Sequence, residues 1–232
     1  MAPQGLDVLF SKDRLEVGKN FMNKLWNAAR FTFMNLIDGI PPVIDLRHEN
    51  LGLSDKWIIS RFEETAFNVN RELNNYRFNE AAKAIYEFTW NDYCDWYVEI
   101  AKIRLYGDDP KKADIVRAVL IHVLKGILTL LHPYSPFITE ELWSYFKTKN
   151  EKDLIISPWI NGKVLKNEQV FDSMDLLQQI VTSIRAIRSQ LNIPPKKRAT
   201  VYIANSESFK EMILSFDEVI KMPENSTLLA SN

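Results

Sequence analysis

Asn20, Asn23, Lys24, Asn27, Arg30 and Phe31 recur at intervals that gather side chains on one face of a helix, opposite Phe21, Leu25, Ala29 and Leu36. The residue types are unusual for a solvated face, which ordinarily carries Glu and Lys, because Asn is a poor helix former. An Asn amide both donates and accepts, as the edge of a nucleic-acid base does, while Lys24 and Arg30 suit phosphates and the Phe31 ring suits an unstacked base. The other use of such amides is to bond a neighbouring helix. A second cationic set consists of Arg185 and Arg188, followed after Pro194-Pro195 by Lys196, Lys197 and Arg198. No carboxylate interrupts these five cations, so they suit either a phosphate backbone or a plainly solvated surface.

Other candidate chemistry is weaker. Asp92, Asp95 and Glu99 lie at spacings that bring carboxylates together, as an acid/base pair or a hard-metal site needs. No His or nucleophile accompanies them, and salt bridges across a bundle are the expected role. His48, His122 and His132 have no ligand-like spacing, so no metal site is expected. Cys94 reads as a small buried hydrophobe, and Tyr86, Phe88, Trp90, Tyr93, Trp96 and Tyr97 read as core aromatics at helical spacing. No catalytic residue is assigned.

The elements that must position these residues are helical. Asp13 to Asp38 predicts a first helix, with Phe21, Leu25, Thr32 and Leu36 facing inward and Met22, Ala29 and Phe33 widening that face. Ser54 predicts an N-cap for a helix from Lys56 to Asn74, and Asn79 to Tyr106 predicts a third helix stopped at Gly107. Pro110 opens a fourth helix that runs to His132, and Ser135-Pro136 opens a fifth that runs to about Phe146. Thr148 to Phe171 reads as irregular, with a short strand at Leu154 to Ile156. A sixth helix follows, with Leu176, Ile180, Ile184, Ile187 and Leu191 inward. The last stretch predicts a strand at Ala199 to Ala204, a helix at Ser206 to Ser215 and a strand at Glu218 to Met222. The expected fold is therefore mainly α, an antiparallel helical bundle with a small C-terminal α/β appendage.

Composition agrees. The 232 residues are 46% hydrophobic, and only seven are glycine, which favours interlocked helices over a turn-rich sheet protein. A formal net charge of -1 excludes gripping nucleic acid by bulk charge and confines any such contact to a local face. One cysteine excludes an internal disulfide, no apolar run reaches the roughly 18 to 20 residues of a membrane span, and no signal peptide is evident. These features predict a soluble, cytoplasmic monomer.

The strings NFMNKLWNAARF at Asn20 to Phe31, DKWIISRF from Asp55 and YRFNEAAKAIYEFTWNDYCDWYVEIAK from Tyr76 follow one another in an order that is informative. With LHPYSPFITEELW from Leu131 and IRAIRSQLNIPP from Ile184, they resemble the anticodon-binding domain of valyl-tRNA synthetases over roughly residues 6 to 198. The HP..PF.TEELW-like turn is shared with isoleucyl and leucyl enzymes, whereas NKLWNAARF and EFTWNDYCDWY are the valine-type strings. The resemblance implies a class I ligase whose helical bundle grips the anticodon stem-loop of tRNA, of valine type, while another domain activates the amino acid. It also implies that residues 1–12 are a linker from that catalytic body, 13–198 the bundle and 199–232 the appendage. The equivalent domain of an isoleucine or leucine enzyme, and a helical protein-interaction scaffold, are the alternatives.

No His-Ile-Gly-His-like or Lys-Met-Ser-Lys-Ser-like string occurs, and nothing after Pro195 sustains a long heptad pattern. In the family those two strings hold the ATP phosphates. ATP with magnesium would thus serve the whole enzyme, and this chain is expected to need no cofactor. It follows that the purified chain should support neither aminoacylation nor valine-dependent exchange of labelled pyrophosphate into ATP, an assay that would detect any adenylate chemistry directly.

Overall fold

A computed structural model describes residues 11–36, 51–164, 167–194, 197, 200–203 and 227–230. The chain divides into two compact units, Met1–Lys166 and Asn167–Asn232. This division falls earlier than a boundary after residue 198, so the sixth predicted helix belongs to the second unit. Its apolar stripe resembles those of the bundle helices, and periodicity alone does not say which core a stripe joins.

In the first unit, α1 (Lys12–Met34), α2 (Leu53–Asn74), α3 (Phe78–Glu87), a π-helical stretch (Phe88–Tyr97), α4 (Val98–Leu105), α5 (Pro110–Leu131) and α6 (Pro136–Phe146) follow one another. α1 ends at Met34, before the expected Asp38, because Asn35 caps it: the Asn35 amide donates back to the Phe31 carbonyl. α5 begins as its Pro110 predicts, with the Asp109 carboxylate accepting from the Lys111 and Lys112 amides. α6 spans the expected residues. The core is made by Leu25, Phe62, Ile85, Val119, Leu124 and Leu142, among others. Gly126 lets α5 approach α2, since a Cβ there would stand 2.1 Å from the tip of the buried Phe62 ring.

Four expectations are corrected within this unit. Ser54 does not cap α2; the N-cap is Gly52, and the Asp55 carboxylate accepts from the Gly52 amide at 2.9 Å. The predicted third helix is not uniform, because its middle winds as a π-helix in which the Val98 amide donates to the Tyr93 carbonyl, five residues back. Phe33 is 48% exposed, so it leaves the inner face on which periodicity placed it. Leu154 to Ile156 is a 3-10 turn and not a strand, because Glu140 accepts from the Leu154 and Ile155 amides at 2.8 and 3.1 Å and takes donors that a strand would use.

The π stretch has a geometric consequence. Spacings of five and four bring Phe88, Tyr93 and Tyr97 onto the buried side, followed by Thr89, Cys94 and Val98. The carboxylates between them turn outward to cations: Asp92 to Arg61, Asp95 to Lys24 and Glu99 to Lys102. The expected salt bridges across the bundle are present for Asp92 and Asp95, whereas Glu99 pairs within its own helix, with Lys102 three residues on.

Asp55 ties these helices together. Fully buried, it pairs with Arg104 of α4, accepts from the Tyr97 hydroxyl at 2.9 Å and caps α2. Burial, with the adjacent carboxylate, holds the Tyr97 phenol well above its usual range, so it remains a donor.

In the second unit, α7 (Glu168–Gln190) buries Val170, Met174, Leu177, Val181 and Ile184. Only Ile184 of the expected stripe is buried, while Ile187 and Leu191 are exposed. The helix carries apolar residues on two adjacent faces, and the core uses the one rotated toward Met174. Strand β1 (Thr200–Ile203) matches the first predicted strand and pairs in parallel with β2 (Thr227–Ala230). The helix predicted at Ser206 to Ser215 and the strand predicted at Glu218 to Met222 lie outside the described residues, as does His48.

Replacing Asp55 with Ala should lower stability by about 3–5 kcal/mol, the usual result of stripping the partner from a poorly solvated cation. Chemical denaturation of the variant beside the parent checks this, and a loss below about 1 kcal/mol would show that the junction is not a main stabiliser.

Candidate nucleic-acid interface

The sequence-predicted face of α1 divides in the structure. Asn20, Asn23, Asn27 and Arg30 are exposed, and their side chains form no hydrogen bond or ion pair among the described residues. Their spacing of three, four and three places them in one continuous row. Lys24 is drawn away from that row: its ammonium pairs with Asp95 and sits 3.8 Å from the centre of the Trp90 ring. That corrects its reading as an uncommitted phosphate ligand, since an ion pair and a cation-π contact already hold the charge. Phe31 is half-buried, with the Lys102 ammonium 5.6 Å from its ring centre, and Lys102 is itself held by Glu99.

α1 is positioned firmly enough to present this row. Leu25, Ala28, Ala29 and Thr32 are buried beneath it. The Thr32 hydroxyl donates to the Ala28 carbonyl at 3.0 Å and lies 3.4 Å from the Tyr93 hydroxyl, which donates to the Leu120 carbonyl of α5 at 3.1 Å. Arg117 of α5 donates to the Asn35 carbonyl at 2.8 Å, satisfying an oxygen at the end of α1.

Sequence reasoning missed a groove on the other flank of the row. Trp26, Arg30 and Phe33 of α1 and Tyr145 of α6 border a depression of about 200 Å³, over a floor of the buried Ala29, Leu142 and Phe146. The seven-residue interval from Trp26 to Phe33 is the signal available in sequence, because it marks a line beside the inner stripe. That line carried no sign of which helix would face it.

The second cationic set does not act as one patch. Arg188 is buried, and its guanidinium donates to the Pro194 and Lys197 carbonyls at 2.7 and 2.8 Å, closing the end of α7. Its expected place off the apolar stripe is corrected by the rotation of that stripe, which continues from Ile184 to Arg188. Arg185 and Lys197 are exposed, and Lys196 and Arg198 lie outside the described residues.

No group of His, Cys, Asp and Glu that would hold a metal is found among the described residues. Burial pushes the Cys94 thiol up to about 12, which leaves it protonated and unreactive. His122 is shifted down by burial and lies edge-on to Phe62, while His132 bonds Thr139 at 2.8 Å. No described helix is long and apolar enough to cross a membrane.

A sequence profile for the anticodon-binding domain of tRNA ligases matches residues 55–203. Valine–tRNA ligase of Carboxydothermus hydrogenoformans is 41% identical over 204 residues, 88% of this chain and 23% of that protein. The same-named proteins of Syntrophotalea carbinolica and Geobacillus stearothermophilus are 39% and 38% identical over 95% and 88% of this chain. The chain spans about a quarter of the length of these curated relatives.

Arg188→Ala should loosen the segment after α7, removing charged hydrogen bonds worth roughly 1.5–3 kcal/mol each. Hydrogen exchange should accelerate at the Asn192, Ile193 and Lys197 amides of the variant, and unchanged protection there would show that the guanidinium is not what holds this turn.

Proposed function

Since the chain belongs to the anticodon-binding domain family of tRNA ligases, we propose that it is the part of a valine–tRNA ligase that grips the anticodon stem-loop of valine tRNA. The observation that carries this reading is the row of Asn20, Asn23, Asn27 and Arg30, exposed on a helix whose opposite side is buried. Solvated amides unmatched by other described groups retain their full capacity to bond base edges, and Arg30 supplies a charge for phosphate. The similarity to proteins named valine–tRNA ligase supports the choice of tRNA. Amino-acid activation belongs to the remaining length of such a ligase, and this chain by itself is inactive. It works as a monomer in the cytoplasm, a setting in keeping with its one buried, protonated thiol.

Binding is confined to a local face on a chain of net charge -1, so it should be modest in affinity and weaken steeply with salt. Arg30→Ala should weaken binding of every tRNA alike and reduce the salt slope by about one contact. Asn23→Ala and Asn27→Ala should instead narrow the preference for the valine anticodon over an altered one, at unchanged melting temperature. Titrations of valine, isoleucine and leucine tRNAs at several salt concentrations test all three variants. Equal affinity of the parent for the three tRNAs would reject the valine assignment, and no affinity for any would favour a protein-interaction scaffold.

A further inference from the structure

The first turns of α1 stand clear of the bundle. Lys12, Asp13 and every residue from Leu15 to Asn20 are exposed, the apolar Leu15 and Val17 included, and burial begins only at Phe21. A Cβ on Gly18 would meet nothing within 4 Å, so the helix is open on that side too. A short helix owes most of its stability in water to a face packed on something else, and the glycine weakens this stretch further. Such turns hold their shape when another surface covers them.

The bundle carries more uncovered apolar surface at the same end. α1 runs parallel to the continuous helix from α3 to α4, because Phe21 meets Tyr86 with ring centroids 5.0 Å apart and Phe31, further along, lies beside Lys102. The start of α1 and the turn between α2 and α3 therefore share one end. On that turn Tyr76 is 72% exposed and holds a φ of 58°, a left-handed backbone that suits glycine and strains a tyrosine. Its ring lies edge-on to that of the half-exposed Phe78, at 6.4 Å. The Tyr134 hydroxyl donates to the Phe78 carbonyl at 2.9 Å, which brings the start of α6 to this end, and there Phe137 is 91% exposed.

We propose that this end of the bundle, made by Leu15, Val17, Tyr76, Phe78 and Phe137, is the seat of the part of the ligase that precedes α1. The proposal rests on the reading of this chain as one part of a valine–tRNA ligase. Two observations choose the occupant. The chain spans about a quarter of the length of its relatives, and whatever precedes α1 is tethered at this end, where its local concentration is high. Charge disfavours RNA as the cover: the helix starts that carry the rings bear Glu80, Glu140 and Glu141, and Arg77 is already paired with Glu72. On α1 itself, Lys12 and Lys19 are offset by Asp13 and Glu16. A seated body would make α1 a rigid strut of roughly 22 Å from Leu15 to Arg30, holding the amide row at a fixed distance from it.

The test joins the whole 232-residue chain to the Carboxydothermus hydrogenoformans ligase in place of its matching quarter, and compares joined and free forms by hydroxyl-radical footprinting. Tyr76, Phe78 and Phe137 should be oxidised several-fold more slowly in the joined form. Tyr76→Gly should leave the melting temperature of the free chain close to the parent's, since glycine accepts the positive φ. In the joined form, Tyr76→Gly with Phe137→Ser should restore oxidation of Phe78 and lower the charging of valine tRNA, at unchanged pyrophosphate exchange. Equal oxidation of the three rings in both parent forms overturns the seat and leaves the tRNA reading standing. Rings protected already in the free chain, at the sedimentation mass of a dimer, overturn it in favour of a second copy, and rings protected only when tRNA is added overturn it in favour of RNA. Protected rings in a joined form that exchanges pyrophosphate but charges no valine tRNA uphold the seat and overturn the tRNA reading.

Discussion

A buried carboxylate constrains how the bundle is put together. Asp55 has no access to water, so its charge must be met by the protein, and three groups converge to do so. The Gly52 amide, the Tyr97 hydroxyl and the Arg104 guanidinium come from the start of α2, the π stretch and α4. Each is needed in place before the ion is tolerable. One residue thereby sets the height of α2 against the long rod of α3, π stretch and α4. Gly52 also leaves room for the ion pair, since a Cβ there would stand 2.9 Å from the Arg104 guanidinium.

That alignment matters because the rod is wound in two ways. Had Phe88 to Tyr97 continued as an α-helix, the apolar side established by Ile85 and Phe88 would have run on into Asp92 and Asp95. The wider π turn carries Tyr93 and Tyr97 inward instead and leaves the carboxylates to Arg61 and Lys24. Tyr93 then reaches both Thr32 on α1 and Leu120 on α5. The position of α1 is thus determined by the rod, and so is the direction in which its amides point.

On the reading proposed above, the outward surface of α1 is the nucleic-acid face of a protein without a basic excess. Lys24 has its charge met by Asp95, whereas Arg30 has no ion-pair partner among the described residues. Between and beside them lie Asn20, Asn23 and Asn27, which add no net charge. Such a face draws RNA weakly at a distance and depends on close hydrogen bonding and stacking for its strength, which favours discrimination over raw affinity.

The sequence by itself determined the helices, most of their ends, and the existence of an amide-rich face. These are local properties, set by apolar spacing, by Pro110 and Pro136 at helix starts, and by which residues share a side of one helix. Tertiary structure decided which members of that face remain available, because the partners come from afar: Lys24 meets Asp95, 71 residues away, and Asp55 meets Arg104, 49 residues away. It decided the groove as well, since Trp26 and Phe33 become a wall only when Tyr145 of α6 stands opposite. The same holds for α7, where the stripe read from sequence is not the one that packing buries, and the buried one includes Arg188. Periodicity gives the direction of each side chain about its own helix axis, but the charge or ring that waits there depends on how the helices are docked.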